Sequence, residues 1–576
     1  MIPINRITGG LMRYLPLTPA IFLAVLIPRY WVDLPQYDEW DSVAFFEHLS
    51  QGSLTASLLF KQANEYRQFF PNIIIVAVGW LTRWDIRYDM VLIFVAACLI
   101  SLFVWRLATH TVQDGPLRFA VLIFLGNLII FSPTQYENWL QGQQLVYYMP
   151  ILCVTAGILV AQSNLAILNR FVICAGLSVI SMFSSANGVV CWIVILPMLL
   201  VTGWKTNRRL VIWLSLGWIA GLGLCLALYL HGYQKPWWTP SPLTAFDHPL
   251  KACIYFLGFV GGPFGLERVR LSLTAGIVLM IGFIWSVVYV IKHRCDRVLI
   301  ENTIGWLVIG SYSVLTAAMT TVGRVGLPTG PSQVPRYLGF SAYLPLALVF
   351  LAHVISSDMD RRKPPKQINR WPPLTVTAAI ILILFQPFMC FLSLHQMQKW
   401  QTRLQQAKAS IVLINGLPDM WLTKNLYPNL QFLTEKANAL NRLGFLRPKL
   451  VQDRHLKNFS GALQDEKNYG VIESLQKSGE HQYVAAGWAV LPTQQKMPDA
   501  VILAYDTGDG DAIAFQLTHP LRTESSVHAG NEIGSWNTSF STNQLPKVPV
   551  SITAWAFDVS SGKAFRLSGG GLIDGS

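Results

Sequence analysis

Charge is what this chain of 576 residues has least of. Only 13% of it is Asp, Glu, Lys or Arg, against 52% hydrophobic residues, and the mean hydropathy is +0.40. A water-soluble enzyme carries about a quarter charged residues, so that class is excluded for most of the chain. Acid is scarcer than base, with 31 Asp and Glu against 44 Lys and Arg. The resulting net charge of +13 does not point to nucleic acid, because the cations gather in short clusters beside apolar runs, as the positive-inside bias requires. The eight cysteines all lie in or beside apolar runs and none follows Cys390. That excludes a disulfide framework and a CxxC metal pair in the polar tail. No Walker sequence, HExxH, GxSxG or strand-borne dinucleotide fingerprint occurs. Ionisable residues inside the apolar runs are nearly absent, which speaks against an ion-coupled transporter.

Long apolar runs recur from about residue 15 to residue 394 and then stop. A crossing helix needs roughly 20 apolar residues. Eleven spans are predicted, near 14–31, 88–107, 117–133, 144–163, 166–184, 188–204, 209–231, 271–291, 301–320, 337–355 and 373–394. Two shorter pieces, "FFPNIIIVAVGWL" (69–81) and "ACIYFLGFVGGPFG" (252–265), are read as interfacial or re-entrant. Arg6 and Arg13 precede the first run like the basic end of a signal peptide, but no small-residue cleavage site follows, so a retained helix is expected. The fold class expected is a polytopic α-helical membrane protein with a C-terminal, mostly-β soluble domain. Its parts are a transmembrane domain over 1–394, a helical connector over 395–467 and a β-sandwich over 468–576. With the N-terminus inside, the basic loops, "RRKPPKQINR" (361–370) among them, are cytoplasmic. The polar, aromatic-rich loops and the tail are then external.

Those external loops carry the candidate site. "DEWD" sets Asp38, Glu39 and Asp41 around Trp40. One acid there caps the short amphipathic helix over 41–50, expected to lie along the membrane, but three repel one another and exceed what a cap needs. "NEYR" adds Glu65 and Arg67, which could equally form an ordinary Lys61–Glu65 helical pair and a headgroup-snorkelling arginine. "QYENW" adds Glu137 and Asn138 among aromatics, suited to hydroxyl-rich ligands or to an interfacial aromatic belt. "GRVGLPTGPSQVPRY" (323–337) places Arg324 and Arg336 on either side of a Gly/Pro turn; paired guanidiniums suit a phosphate.

On "DEWD", "NEYR", "QYENW" and "GRVG…VPRY", the first 394 residues resemble the GT-C superfamily of integral-membrane glycosyltransferases, in particular its ArnT-like and protein-mannosyltransferase-like members. The resemblance implies transfer of a sugar from a polyprenyl-phosphate donor to an envelope glycan or lipid at the external, periplasmic face of the inner membrane. In it Asp38 or Asp41 acts as base, with Asp38 preferred, while Arg324 and Arg336 hold the departing phosphate. Glu39, Glu65, Arg67, Glu137 and Asn138 bind substrate. Some members use a divalent metal; Asp38 and Asp41 permit one, but no carboxylate in a later loop completes a site. The rival readings are an O-antigen ligase or polymerase and a lipid-linked-sugar flippase. Membrane lipids are expected partners and nucleic acid is not.

In the tail, "HQMQKWQTRLQQAKASIVLING" and "NLQFLTEKANALNRLGFLRP" read as helices. From about residue 468, short runs divided by Gly, Pro and Asp read as six or seven strands. "YDTGDGDA" (505–512) has a calcium-loop composition without EF-hand spacing, so a solvated hairpin turn is expected.

Overall fold

The computed structural model describes residues 14–112, 115–203, 207–265, 268–327, 334–362, 373–461, 468–528, 531–546 and 549–573. Arg6, Arg13, the middle of the Gly/Pro turn (328–333) and nearly all of the basic 361–370 segment lie outside these. The chain is mostly helical and ends in a strand-rich region. It divides into two compact units. One holds Met1–Trp31, Leu54–Thr82 and Ile86–Met397; the other holds Val32–Ser53, Arg83–Asp85 and Gln398–Ser576.

Among the described residues of the first unit, eight helices are long and apolar enough to cross a membrane, Arg87–Thr111, Arg208–Leu230, Val269–Lys292, Arg297–Arg324 and Pro335–Arg361 among them. The apolar helices Leu15–Tyr30, Phe69–Thr82, Ile167–Met182 and Pro249–Val260 are shorter. Two of these, near 14–31 and 166–184, were expected as full spans. The stretch expected as the last span, near 373–394, belongs to one helix of 40 residues, Pro373–Val412, which continues into the expected connector.

The helix Arg297–Arg324 packs among other helices of its unit, Tyr343–Arg361 and Val190–Gly203 among them. Asp296 starts it, its carboxylate accepting from the Leu299 amide at 3.2 Å, and Arg324 ends it where a cation suits the helix dipole. Trp306 stacks on Phe350 at 3.9 Å and donates its indole N–H to Thr111 at 3.1 Å. These contacts fix the rotation of the helix and therefore where Arg324 emerges.

Small residues let the neighbouring helices close. A Cβ on Gly276 would stand 2.0 Å from the Leu257 carbonyl oxygen, and one on Gly261 would stand 1.9 Å from that of Ser272. Both obstacles are backbone and cannot step aside. Gly276→Ala is therefore expected to cost about 1–3 kcal/mol or more by overpacking. Gly223→Ala, at an open position on Arg208–Leu230, should be neutral. Thermal unfolding of both variants in detergent checks this; equal melting temperatures would refute the close backbone contact.

The second unit is built around two antiparallel sheets. Strands β3 (Gly470–Lys477), β4 (Gln482–Ala489), β7 (Leu521–His528) and β8 (Asn531–Ser541) form one, in the order β3-β4-β8-β7. Strands β5 (Ala500–Asp506), β6 (Ala512–Thr518), β9 (Val550–Asp558) and β10 (Lys563–Arg566) form the other, in the order β10-β9-β5-β6, with β11 (Gly571–Ile573) also on β9. Val501 and Leu503 join a core with Trp536 and Phe540 of the first sheet. Ala500, Ile502 and Ala504 join a second core with Ala409 and Val412 of the long helix and with Leu413 just after it. Both faces of β5 are thus covered, which is why it reads "AVILA" without polar alternation. The turn between β5 and β6 contains the calcium-like sequence. Its Asp511 accepts from His455 at 2.6 Å and from the Lys457 amide at 3.2 Å, so this carboxylate fastens the turn.

Candidate functional site

The sequence-predicted residues fall into two clusters, one in each unit. In the helical unit, residues 62–67 form a hairpin rather than the helix that a Lys61–Glu65 pair requires. β1 (Gln62–Ala63) pairs with β2 (Tyr66–Arg67), and Asn64 takes the left-handed conformation at the turn, φ 49°. The hairpin is fastened to the segment that follows the Arg208–Leu230 helix. Gln62 Nε2 donates to the Gln234 carbonyl at 2.6 Å, and Gln62 Oε1 accepts from the Gln234 amide at 3.0 Å. The Tyr229 hydroxyl donates to the Glu65 carbonyl at 3.2 Å.

Arg67, 7% exposed, donates to the carbonyls of Tyr229 (2.9 Å), Phe60 (3.0 Å) and His231. Its guanidinium also lies over the Phe60 ring at 4.9 Å. In this structure Arg67 therefore pins the hairpin in place. Arg67→Met leaves three carbonyls unpaired and is expected to cost about 2–4 kcal/mol. Denaturation in detergent measures it, and an unchanged stability would contradict the clamp.

Held this way, the Glu65 carboxylate meets Arg324, 259 residues later. Arg324 Nη2 donates to Glu65 Oε2 at 3.0 Å and Thr239 Oγ1 donates to Glu65 Oε1 at 3.2 Å. Arg336 stands 3.9 Å from Glu137, too far for a hydrogen bond. The two arginines share one neighbourhood. The side chains of Tyr66 and Tyr147 are hydrogen-bonded and lie in the field of Arg324, Arg336 and Tyr337. Tyr255 faces the same three groups. Arg336 lies 5.6 Å over the Tyr337 ring, which packs on Phe259 at the same separation. Each guanidinium has five N–H donors, and Arg336 remains 40% exposed, so the cluster can accept an anion bidentately.

Asn138 is completely buried. Its Nδ2 donates to Gln135 Oε1 at 3.5 Å, and the Tyr148 hydroxyl donates to the same oxygen at 3.2 Å. Gln135 Nε2 in turn serves the carbonyls of Ile129 and Ile130. The amides of "QYENW" therefore brace a tight turn, while Glu137 of that motif stands near Arg336.

In the second unit, "DEWD" forms a short 3-10 helix, Tyr37–Ser42, continued by the helix Val43–Ser50. Glu39, 4% exposed, accepts from the Gln36 amide at 2.6 Å and closes a capping box, so this acid starts the helix. The apolar face expected to rest on lipid rests on protein. Phe46 is fully buried, with its ring 4.7 Å from Trp84 and 5.5 Å from Phe445. Glu47 pairs with Lys436 at 3.0 Å, on the helix Leu430–Leu443.

Asp38 and Asp41 remain, and their fields interact. Asp41 keeps solvent access. The protein mass around it, and then Asp38, push its carboxyl up to about 6, against the opposing charge of Lys436 and a hydrogen bond from Tyr427. Such a carboxyl changes protonation near neutral pH, as a proton acceptor must.

Sequence reasoning missed Lys436 and Tyr427, which it assigned to a connector, and Thr239. Tyr66 and Tyr337 stand within the quoted motifs "NEYR" and "VPRY", where the acids and arginines drew the attention. Among the described residues, no group of three or more His, Cys, Asp and Glu side chains is placed to hold a metal ion. Comparison with protein families, with characterised proteins and with solved structures finds no match for this chain.

Proposed function

We propose that this multi-pass membrane protein is a glycosyltransferase of GT-C type. It moves a sugar from a polyprenyl-phosphate donor to an envelope glycan or lipid on the periplasmic face of the inner membrane. The observation that carries this reading is the arginine–tyrosine cluster: two guanidiniums among tyrosine hydroxyls at the ends of long apolar helices. A lipid-borne phosphate needs cations at that depth, and an exposed Arg336 offers one.

Each half of the chemistry is assigned within its own unit. The proton of the acceptor hydroxyl passes to a carboxylate, a role for which the second unit offers Asp41, with Asp38 beside it. The acceptor oxygen bonds to the anomeric carbon as the bond from that carbon to the phosphate oxygen breaks. Arg324 and Arg336 hold the charge left on the phosphate. The orientation proposed with this function has the N-terminus in the cytoplasm and the tail outside.

Binding of polyprenyl phosphate, without sugar, to the full chain in nanodiscs tests the carrying observation. Arg324→Ala and Arg336→Ala should each weaken it by about 10- to 100-fold, the loss of one charge-assisted contact. Equal binding by both variants and the unaltered chain would remove the basis of the proposal.

A further inference from the structure

The segment after the Arg208–Leu230 helix has two unlike faces. Inward, Thr239 donates to Glu65, Gln234 is tied to Gln62, and a Cβ on Gly326 would strike Pro240 at 2.4 Å. On the helix Pro249–Val260, Tyr255 and Phe259 are buried toward Tyr337 and the arginines. Outward the same stretch is uncovered and carries large apolar side chains, Trp237 91% exposed, Phe246 75% and Leu250 74%, with Trp238, Leu243 and Ile254 beside them. Exposed Lys235, Asp247, His248 and Lys251 stand among them, the mixture of a headgroup boundary.

Two observations say what covers this face. It continues directly in chain from Arg208–Leu230, whose exposed Trp213, Leu216, Ile219 and Leu224 form the flank of a helix apolar enough to cross a bilayer. The helix Pro249–Val260 has 12 residues, hence a length of about 18 Å, little more than half of a hydrocarbon core about 30 Å thick. It can sit in a leaflet but not cross. Tryptophans beside such a helix have the amphipathic rings that favour the headgroup boundary, where the apolar body is buried and the indole N–H stays wet.

We propose that residues 234–254 are bedded in the lipid interface and form the lipid-facing wall of the arginine–tyrosine cluster. The occupant of the outer face is the acyl-chain and headgroup boundary of a phospholipid bilayer. This goes beyond sugar transfer and does not depend on it. One physical consequence is that a lipid-borne phosphate would approach the arginines past this wall rather than from bulk water.

Photocrosslinking in the full chain tests the wall. Trp237→p-benzoylphenylalanine and, separately, Phe246→p-benzoylphenylalanine are reconstituted in nanodiscs of radiolabelled phosphatidylethanolamine and phosphatidylglycerol. The same replacement at Trp213 serves as the lipid-facing reference. Trp237 and Phe246 are exposed, so the replacements disturb little beyond the Trp237–Trp238 ring contact at 5.6 Å. The expected result is a labelled lipid adduct at both positions, of the same order as at Trp213. Adducts at Trp213 alone overturn the proposal and place the segment in water; an adduct to another protein overturns it in favour of a protein partner. Because no sugar transfer is needed, either failure is separable from failure of the glycosyltransferase reading.

Discussion

Asp41→Asn is expected to lower sugar transfer by about 10²- to 10⁴-fold, the usual contribution of a positioned general base. It is also expected to raise the melting temperature at pH 7.5. The second effect follows from the sign of the Asp41 shift. Its carboxyl is raised from an ordinary 3.8 to about 6, first by the surrounding protein and then by Asp38. A raised folded-state value means that the stability it contributes is fully present below about 4 and is lost as the pH rises through about 6. At pH 7.5 the ionised Asp41 is a burden on the fold, and a neutral asparagine relieves it. A merely structural acid would give the reverse, a less stable variant. The neighbours sharpen the test. Asp38→Asn removes a charge that raises the Asp41 value, so the acid limb of the pH–rate profile should move to lower pH. Lys436→Met removes one that lowers it, so the limb should move up. An acid limb that stays fixed in both variants would mean that Asp41 does not govern it.

Arg324→Ala and Arg336→Ala should each reduce transfer by about 10²- to 10³-fold, as expected when one charged donor to a developing negative charge is removed. Arg324 also has a structural partner, since its 3.0 Å pair with Glu65 is only 23% and 14% exposed. Removing the arginine alone strands a mostly buried carboxylate and should destabilise the protein. The double variant Arg324→Ala/Glu65→Gln separates the two roles. It should regain stability while remaining inactive. Recovery of both together would reduce Arg324 to a fastener for the hairpin. Arg336 is held more loosely, with Glu137 3.9 Å away and 40% of its own side chain exposed, so its removal should cost less stability than that of Arg324.

Composition and hydropathy read the architecture well at the level of a helical membrane part followed by a strand-rich tail. They also marked 69–81 and 252–265 as short, and the helices there have 14 and 12 residues. They read less well where distant segments meet. Nothing local in "DEWD" shows that residues 32–53 join the C-terminal unit, because the signal is Phe46 packing near Phe445 and Glu47 pairing with Lys436. Likewise Glu65 looks helical beside Lys61, and only the fold brings it to Arg324. Motif reading gathered five carboxylates and three arginines, and tertiary structure sorts them. Glu39 caps a helix and Arg67 clamps a hairpin, while Asp41, Arg324 and Arg336 keep chemistry to offer. Spacing predicted six or seven strands in the tail, and nine are present among the described residues. The continuous apolar run of β5 was not accounted for, because coverage of both its faces is decided by the long helix that packs behind it.

The central claim is sugar transfer from a polyprenyl-phosphate donor, and it is tested most directly by supplying the purified full chain, in nanodiscs, with a panel of radiolabelled polyprenyl-phosphate sugars and envelope extract. The account predicts that at least one donor is consumed, with label passing to the glycan or lipid fraction, and that Asp41→Asn and Arg336→Ala stop it while remaining folded. Label that crosses the bilayer still attached to its polyprenyl phosphate, with no transfer by the unaltered chain, would contradict the account and identify a lipid-linked-sugar flippase.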